Sequence, residues 1–180
     1  PLPNGASTDV IVEQPLILQI GAEELVTMRS PGHDIDLARG FLVSERIISD
    51  LAKIQSITSF KKDQITALKI VLTSGELARG GRLTRVHEIR ASCGLCGVPS
   101  VERISEDLPT LKPGSPKISL SNAGALATAM KEKQDNFHKS GGSHAAALFR
   151  GDELLYLRED VGRHNAVDKV IGAALHDHET

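Results

Sequence analysis

The sequence has no tryptophan, one tyrosine and four phenylalanines, so few rings are available to stack nucleic-acid bases. It has no excess of positive charge either. Its 21 Lys and Arg against 23 Asp and Glu give a formal net charge of −2, which argues against a generic nucleic-acid binder. No apolar run approaches the ~18 residues of a membrane span, and the amino end has no charged-then-apolar leader. The expectation is a soluble, cytoplasmic chain with no DNA, RNA or membrane partner. Two cysteines are too few for a disulfide scaffold. A chain of 180 residues, able to bury roughly 70% of its unfolded surface, does not need one. Both cysteines, Cys93 and Cys96, sit in one short stretch, and that asks for another explanation.

The first nine residues are a polar lead-in. Residues 10–12 and 16–20 have strand character, with Pro15 expected at an edge or bulge. Residues 25–28 return as the next strand. Asp34 is placed to cap a helix carrying Ile35, Leu37, Ala38, Phe41 and Leu42 on one face. Residues 54–60 and 65–72 form a second hairpin. Residues 73–99, rich in Gly and Arg, show no clean period and are expected to be mostly loop. A helix over 119–134 follows, capped by Ser119 or Ser121. Next come a Gly-terminated loop over 137–142 and a hairpin of 145–149 with 153–158. A helix over 165–175 closes the pattern, with Ala166, Val167, Val170, Ile171 and Ala174 as its apolar stripe. The polar end, 176–180, is expected to be a solvated terminus. The organisation is a β-rich subdomain with one helix over 1–72, a Gly/Arg loop and connector with the cysteines over 73–118, and helix–strand–strand–helix over 119–180.

In Ser92-Cys93-Gly94-Leu95-Cys96-Gly97 the glycines let the backbone bend and a reactant approach sulfur closely. A thiolate is the nucleophile, and cations such as Arg90 lower its pKa. Buried small hydrophobes are the bland alternative. A structural zinc site needs a second ligand pair. His138 and His144 have finger-like spacing, but 41 residues separate Cys96 from His138. A thioredoxin-like exchanger belongs beside a βαβ pattern, and hairpins stand here instead. A zinc deaminase requires a His- or Cys-x-Glu, and no His or Cys here has Glu two residues on.

A second polar cluster combines His138, Gly141, Gly142 and His144 with Arg158, Asp160, Arg163, His164 and Asn165. The latter group lies at a strand-to-helix junction, where free N–H groups and the helix dipole favour anions. With Arg163 and His164 it suits a phosphate or pterin nucleotide. The competing reading is capping plus surface ion pairs, with Glu159 and Asp160 on Arg158 or Arg163.

Together these segments resemble the formate dehydrogenase accessory sulfurtransferase family. The matching stretches are Glu13-Gln14-Pro15, Asp36-Leu37-Ala38-Arg39-Gly40-Phe41-Leu42, the Cys93–Cys96 motif, 137–142, 144–148 and the fifteen-residue run 158–172. The resemblance implies a mixed α/β (α+β) fold, a β-rich first part followed by a cytidine-deaminase-like core. His164-Asn165-Ala166 stands where deaminases carry His-x-Glu, so the glutamate is absent. Members continue past this helix with further strand–helix units, so the core here is expected to be incomplete at its carboxyl end.

The resemblance further implies a homodimeric sulfur carrier. Cys93 accepts sulfane sulfur from a cysteine desulfurase as a persulfide, with Cys96 as its partner. Attack of Cys96 on that persulfide forms a disulfide as sulfide leaves. The client is the molybdenum, or tungsten, bis-guanine-dinucleotide cofactor bound for formate dehydrogenase. The histidine and arginine junction holds its phosphates or guanine. No metal of the chain's own is expected. A non-enzymatic cofactor chaperone and a Cys-x-x-Cys zinc module are the alternatives.

Overall fold

The computed structural model describes residues 9–73 and 118–178. Cys93, Cys96 and the Gly/Arg loop lie outside the described residues. Strand β1 (Gln14–Ile20) and strand β2 (Glu23–Arg29) form an antiparallel hairpin around Gly21, whose φ of 61° suits a residue without Cβ. Helix α1 (Asp34–Ser44) crosses to a second hairpin, β3 (Ile54–Lys62) and β4 (Ile65–Leu72). Its turn residues Asp63 and Gln64 both take positive φ, as the twist of a two-residue hairpin requires. β1 and β4 pair in parallel, giving one sheet of order β2-β1-β4-β3.

Period-two alternation sends Leu16, Leu18 and Ile20 of β1 and Leu68 and Ile70 of β4 to one face. There they meet Leu37, Ala38 and Leu42 of α1, with Ile47, Ile48 and Leu51 closing the core. Each such buried aliphatic side chain contributes roughly 1.5–3 kcal/mol before entropy is counted. The other face is curled. Lys62 on one edge strand donates to both carboxylate oxygens of Glu24 on the opposite edge at 2.6 Å. The sheet must coil to bring those corners together, and Ile17 and Ala67 are buried on the enclosed side.

Three expectations change here. Pro15 stands in an interior strand, and its missing N–H is tolerated because pairing with β4 begins only at Leu16. Residues 10–12 are not a strand; Val10 and Val12 are exposed, and Ile11 packs beside Gly142. Asp34 is the first residue of α1 rather than its cap, which is His33 in the left-handed region (φ 57°). The Asp34 carboxylate instead receives Arg29, from Nε at 2.9 Å and Nη2 at 2.8 Å.

The second half opens with helix α2 (Leu120–Glu132), capped by Ser119, whose Oγ accepts from Asn122 N at 3.1 Å. The expected loop after it contains a short helix α3 (Asp135–Ser140), ended by Gly141 at φ 64°. Strands β5 (His144–Arg150) and β6 (Glu153–Asp160) form a separate two-stranded sheet. Helix α4 (Arg163–His178) packs on it and on α1. The expected solvated terminus is thus helical through residue 178, and Tyr156 OH donates to Asp177 within it.

The apolar stripe of α4 is rotated from the expected one. Ala166, Val170 and Ala173 are buried, whereas Val167 is 47% exposed. Glycines decide this rotation. A Cβ on Gly40 would lie 1.8 Å from the Asp168 carbonyl oxygen, and one on Gly172 would lie 1.9 Å from that of Asp36. The two helices therefore touch backbone to backbone. The mixed α/β class with two sheets is as the sequence led us to expect. No helix among the described residues is long and apolar enough to cross a membrane.

Candidate functional site

The Arg158-Glu159-Asp160 segment ends β6, so its side chains alternate between faces. Arg158 and Asp160 turn toward α1 and α4, and Glu159 turns toward α3. Asp160 is fully buried and its oxygens are all engaged. Oδ2 meets Lys169 Nζ at 2.7 Å and accepts from Ser30 N at 3.1 Å. Oδ1 accepts from Gly162 N at 2.9 Å and Asn165 Nδ2 at 3.0 Å. Lys169, 1% exposed, also donates to the Ser30 carbonyl at 2.9 Å, and Asn165 donates to the Met28 carbonyl at 2.7 Å. Val161 N donates to Ser30 Oγ at 3.0 Å. This network ties the β6–α4 junction to the β2–α1 junction, two segments some 130 positions apart in sequence.

Arg158 reaches α1, donating from Nη2 to Asp36 Oδ2 at 3.1 Å and from Nη1 to the Leu157 carbonyl at 3.0 Å; its buried Nε has no partner among the described residues. Arg39 stands 3.9 Å from the other Asp36 oxygen, and exposed His33 stands 3.6 Å from Oδ2. Partial desolvation of the ring, helped by Arg158, pulls the His33 imidazole below its ordinary value against the opposing field of Asp36. Glu159 accepts from Asn136 N and Phe137 N, each at 2.8 Å, and from Ser143 Oγ at 2.7 Å. A carboxylate from a distant strand thus caps α3, and it holds the 140–143 turn against β6.

The ion pairs differ from those expected. Asp160 pairs with Lys169, Arg158 with Asp36, and Glu159 with backbone N–H groups. The predicted residues divide by exposure. Asp160 and Asn165 are committed to the internal network, and Asp160 presents no surface to a ligand. His138, Gly141, Gly142, His144 and Arg163 are exposed, and His164 is half-buried. His144 is paired with Asp160 across the β5–β6 ladder, so it stands at the same end of the hairpin as the start of α4. An open depression of about 360 Å³ lies instead at the start of α1, lined by residues 32–36 with Ser59 and Leu68; no predicted residue lines it. Among the described residues no group of three or more His, Cys, Asp or Glu side chains is placed to hold a metal ion.

Sequence reading places Lys169 one turn beyond the junction without giving it a role, and it missed Ser30, Asp36 and the partners of Glu159. For Lys169 a signal was present. Stepping i, i+3, i+4, i+7 from Ala166 gives Lys169, Val170 and Ala173, a lysine inside an apolar stripe. Lysine is almost never fully buried unless paired, so that position asks for a carboxylate.

The family description "FdhD/NarQ family" matches residues 11–180. Two relatives are each named "Sulfur carrier protein FdhD". One, from Mycolicibacterium paratuberculosis, is 40% identical over 177 residues, covering 92% of this chain and 64% of the relative. The other, from Sulfolobus acidocaldarius, is 37% identical over 172 residues, covering 93% and 62%. The chain therefore spans just under two thirds of the length of these relatives. A solved protein from Desulfotalea psychrophila, assigned as a formate dehydrogenase accessory protein, shares the fold with a TM-score of 0.66. It is 19% identical, over 97% of this chain and 65% of that one. By the extent of the family match, the chain belongs to the FdhD/NarQ family.

Proposed function

We propose that this chain carries sulfane sulfur as a persulfide on Cys93 and passes it to a molybdenum or tungsten bis-guanine-dinucleotide cofactor destined for formate dehydrogenase. The observation that carries the reading is the Cys93–Cys96 pair standing within a chain whose relatives are named sulfur carriers. In the loading step the Cys93 thiolate attacks the outer sulfur of a cysteine desulfurase persulfide. A new S–S bond forms on Cys93 as the donor's S–S bond breaks and the donor leaves as a thiolate. Cys96 then serves as the resolving thiol.

The client's phosphates would meet Arg163 and His164 on the first turn of α4, with His138 and His144 beside the Gly141–Gly142 turn. The internal network supports this division. It consumes Asp160 and Asn165 and leaves the cationic side chains outward. A homodimer in the cytoplasm belongs to the same reading.

The test is to incubate the chain with a cysteine desulfurase and cysteine, then map added sulfur by mass spectrometry. A 32-Da adduct on Cys93, abolished by Cys93→Ala, is expected. An unmodified Cys93 under conditions that load a longer family member sinks the proposal.

A further inference from the structure

Residues 134–143 form a self-bonded piece of backbone between α2 and β5. His138 N donates to the Gln134 carbonyl at 2.9 Å, and Gly141 N to that of Phe137 at 2.7 Å. Ser140 Oγ donates to the Asn136 carbonyl at 2.7 Å and accepts from Gly142 N at 3.1 Å. These bonds fix the shape of the piece but not its place. A helix of six residues, as α3 is, has no stability of its own in water, so its place depends on what it docks against. Glu159 grips the piece at both ends. Its Oε2 accepts from Asn136 N and its Oε1 from Phe137 N at the start of α3, and Oε1 also accepts from Ser143 Oγ beyond the end of α3. Each gripped end is followed directly by a histidine of the candidate site. His138 follows Phe137, and His144 follows Ser143; both histidines are exposed, whereas Ser143 is 7% exposed.

We propose that Glu159 is a positioning residue for the candidate anion site, holding His138, the Gly141–Gly142 turn and His144 in place relative to Arg163 and His164. It rests on the reading that these side chains meet the phosphates of the client. Two consecutive carboxylates then divide the work. Asp160 ties down the start of α4 through Gly162 N, Asn165 and Lys169. Glu159, on the opposite face of the same strand, ties down α3 and the start of β5. Both halves of the site hang from adjacent positions at one strand end, so no intervening loop adds slack between them.

The geometry calls for a carboxylate. Three groups donate into its two oxygens, and a carboxamide would turn an N–H of its own toward one of them. Hydrogen bonds to an ionised acceptor are also stronger than neutral ones. Removing the carboxylate leaves Asn136 N and Phe137 N to water, which costs the fold little because both residues lie at the surface. What is lost is placement. The histidines must then be ordered at the moment of binding, and affinity falls by the cost of that ordering.

The experiment is a calorimetric titration of guanosine diphosphate into the 180-residue chain and its variants. Glu159→Ala is expected to bind about tenfold more weakly than the wild type. In a His138→Ala/His144→Ala background the same substitution is expected to cost no further affinity, because no contact is left for it to position. In an Arg163→Ala background its full factor is expected to remain. A merely structural role would not depend on the histidines in this way. Glu159→Ala binding as tightly as the wild type, or losing as much without the histidines as with them, overturns the proposal and leaves the reading of the site in place. A wild type that binds no guanosine diphosphate overturns that reading and the proposal with it. Should Glu159→Ala fail to fold, Glu159→Gln replaces it, with an expected loss of about threefold and the same dependence on the histidines. Undiminished binding in that variant overturns the proposal.

Discussion

Replacing Lys169 by methionine keeps the aliphatic stem and removes only the ammonium group. Two acceptors lose their cation, Asp160 Oδ2 at 2.7 Å and the Ser30 carbonyl at 2.9 Å, both in a site where Lys169 is 1% and Asp160 0% exposed. Removing one member of a buried pair typically costs about 3–5 kcal/mol, because the other charge is left uncompensated. Asp160 would retain three donors, from Ser30 N, Gly162 N and Asn165 Nδ2, which places the loss at the lower end, about 3 kcal/mol. That is about two orders of magnitude in the folding equilibrium, a large share of the ~5–15 kcal/mol a domain has. The double variant Lys169→Met/Asp160→Asn buries no unpaired charge and should recover part of the loss, with a coupling of about 1–3 kcal/mol. Urea unfolding followed by circular dichroism at one fixed pH measures all four members of the cycle. No ligand is added, so a loss of this size belongs to folding and not to client binding. A single-variant loss under about 1 kcal/mol, or additive singles, would falsify the assignment of this pair as the centre of the network.

Gly172→Ala should destabilise by about 3 kcal/mol or more, because its Cβ would meet backbone that cannot swing aside; a normal unfolding midpoint would show that the helices can part cheaply. Lys62→Ala should cost under about 1 kcal/mol, since both partners are more than a third exposed, and the difference from wild type should shrink further in 1 M salt. Ser119→Ala should cost about 1 kcal/mol of stability, with fraying confined to the first turn of α2 in hydrogen exchange. Arg163→Ala should leave the unfolding curve unchanged, within about 0.5 kcal/mol, while weakening retention of a guanine dinucleotide client in a binding titration.

The elements most legible in the sequence are those set by local periodicity. The three hairpins, α1, and the Ser119 cap follow from alternation, a 3.6-residue repeat and side-chain chemistry within a few positions. The misplacements share a physical origin in partners distant along the chain. Helix α3 is too short and polar to be predicted from its own residues; its first N–H groups are held by Glu159, more than twenty positions away. Asp34 has the chemistry of a cap but is taken by Arg29. The stripe of α4 turns toward Lys169 and Gly172 because α1 demands a glycine contact and Asp160 demands a cation. No window of local sequence contains those demands.

The same distance dependence explains why the 158–172 run looked like one site in sequence and divides into two roles in space. A strand ending at Asp160 must alternate, so Arg158 and Asp160 share a face and Glu159 takes the other. Polar side chains on the inner face are costly to bury unpaired, and Ser30, Asp36, Asn165 and Lys169 supply partners for every buried side-chain polar atom of Arg158 and Asp160 except Arg158 Nε. A helix beginning at Arg163 then rotates successive residues by about 100°, so Asn165 and Lys169 turn inward while Arg163 stays in solvent. Buried members therefore fix where the exposed members stand. Loss of a buried member should appear first as instability, and loss of Arg163 as weaker anion binding in a chain that still folds. Stability and ligand retention measured on the same variants separate the two roles, which a single activity measurement would merge.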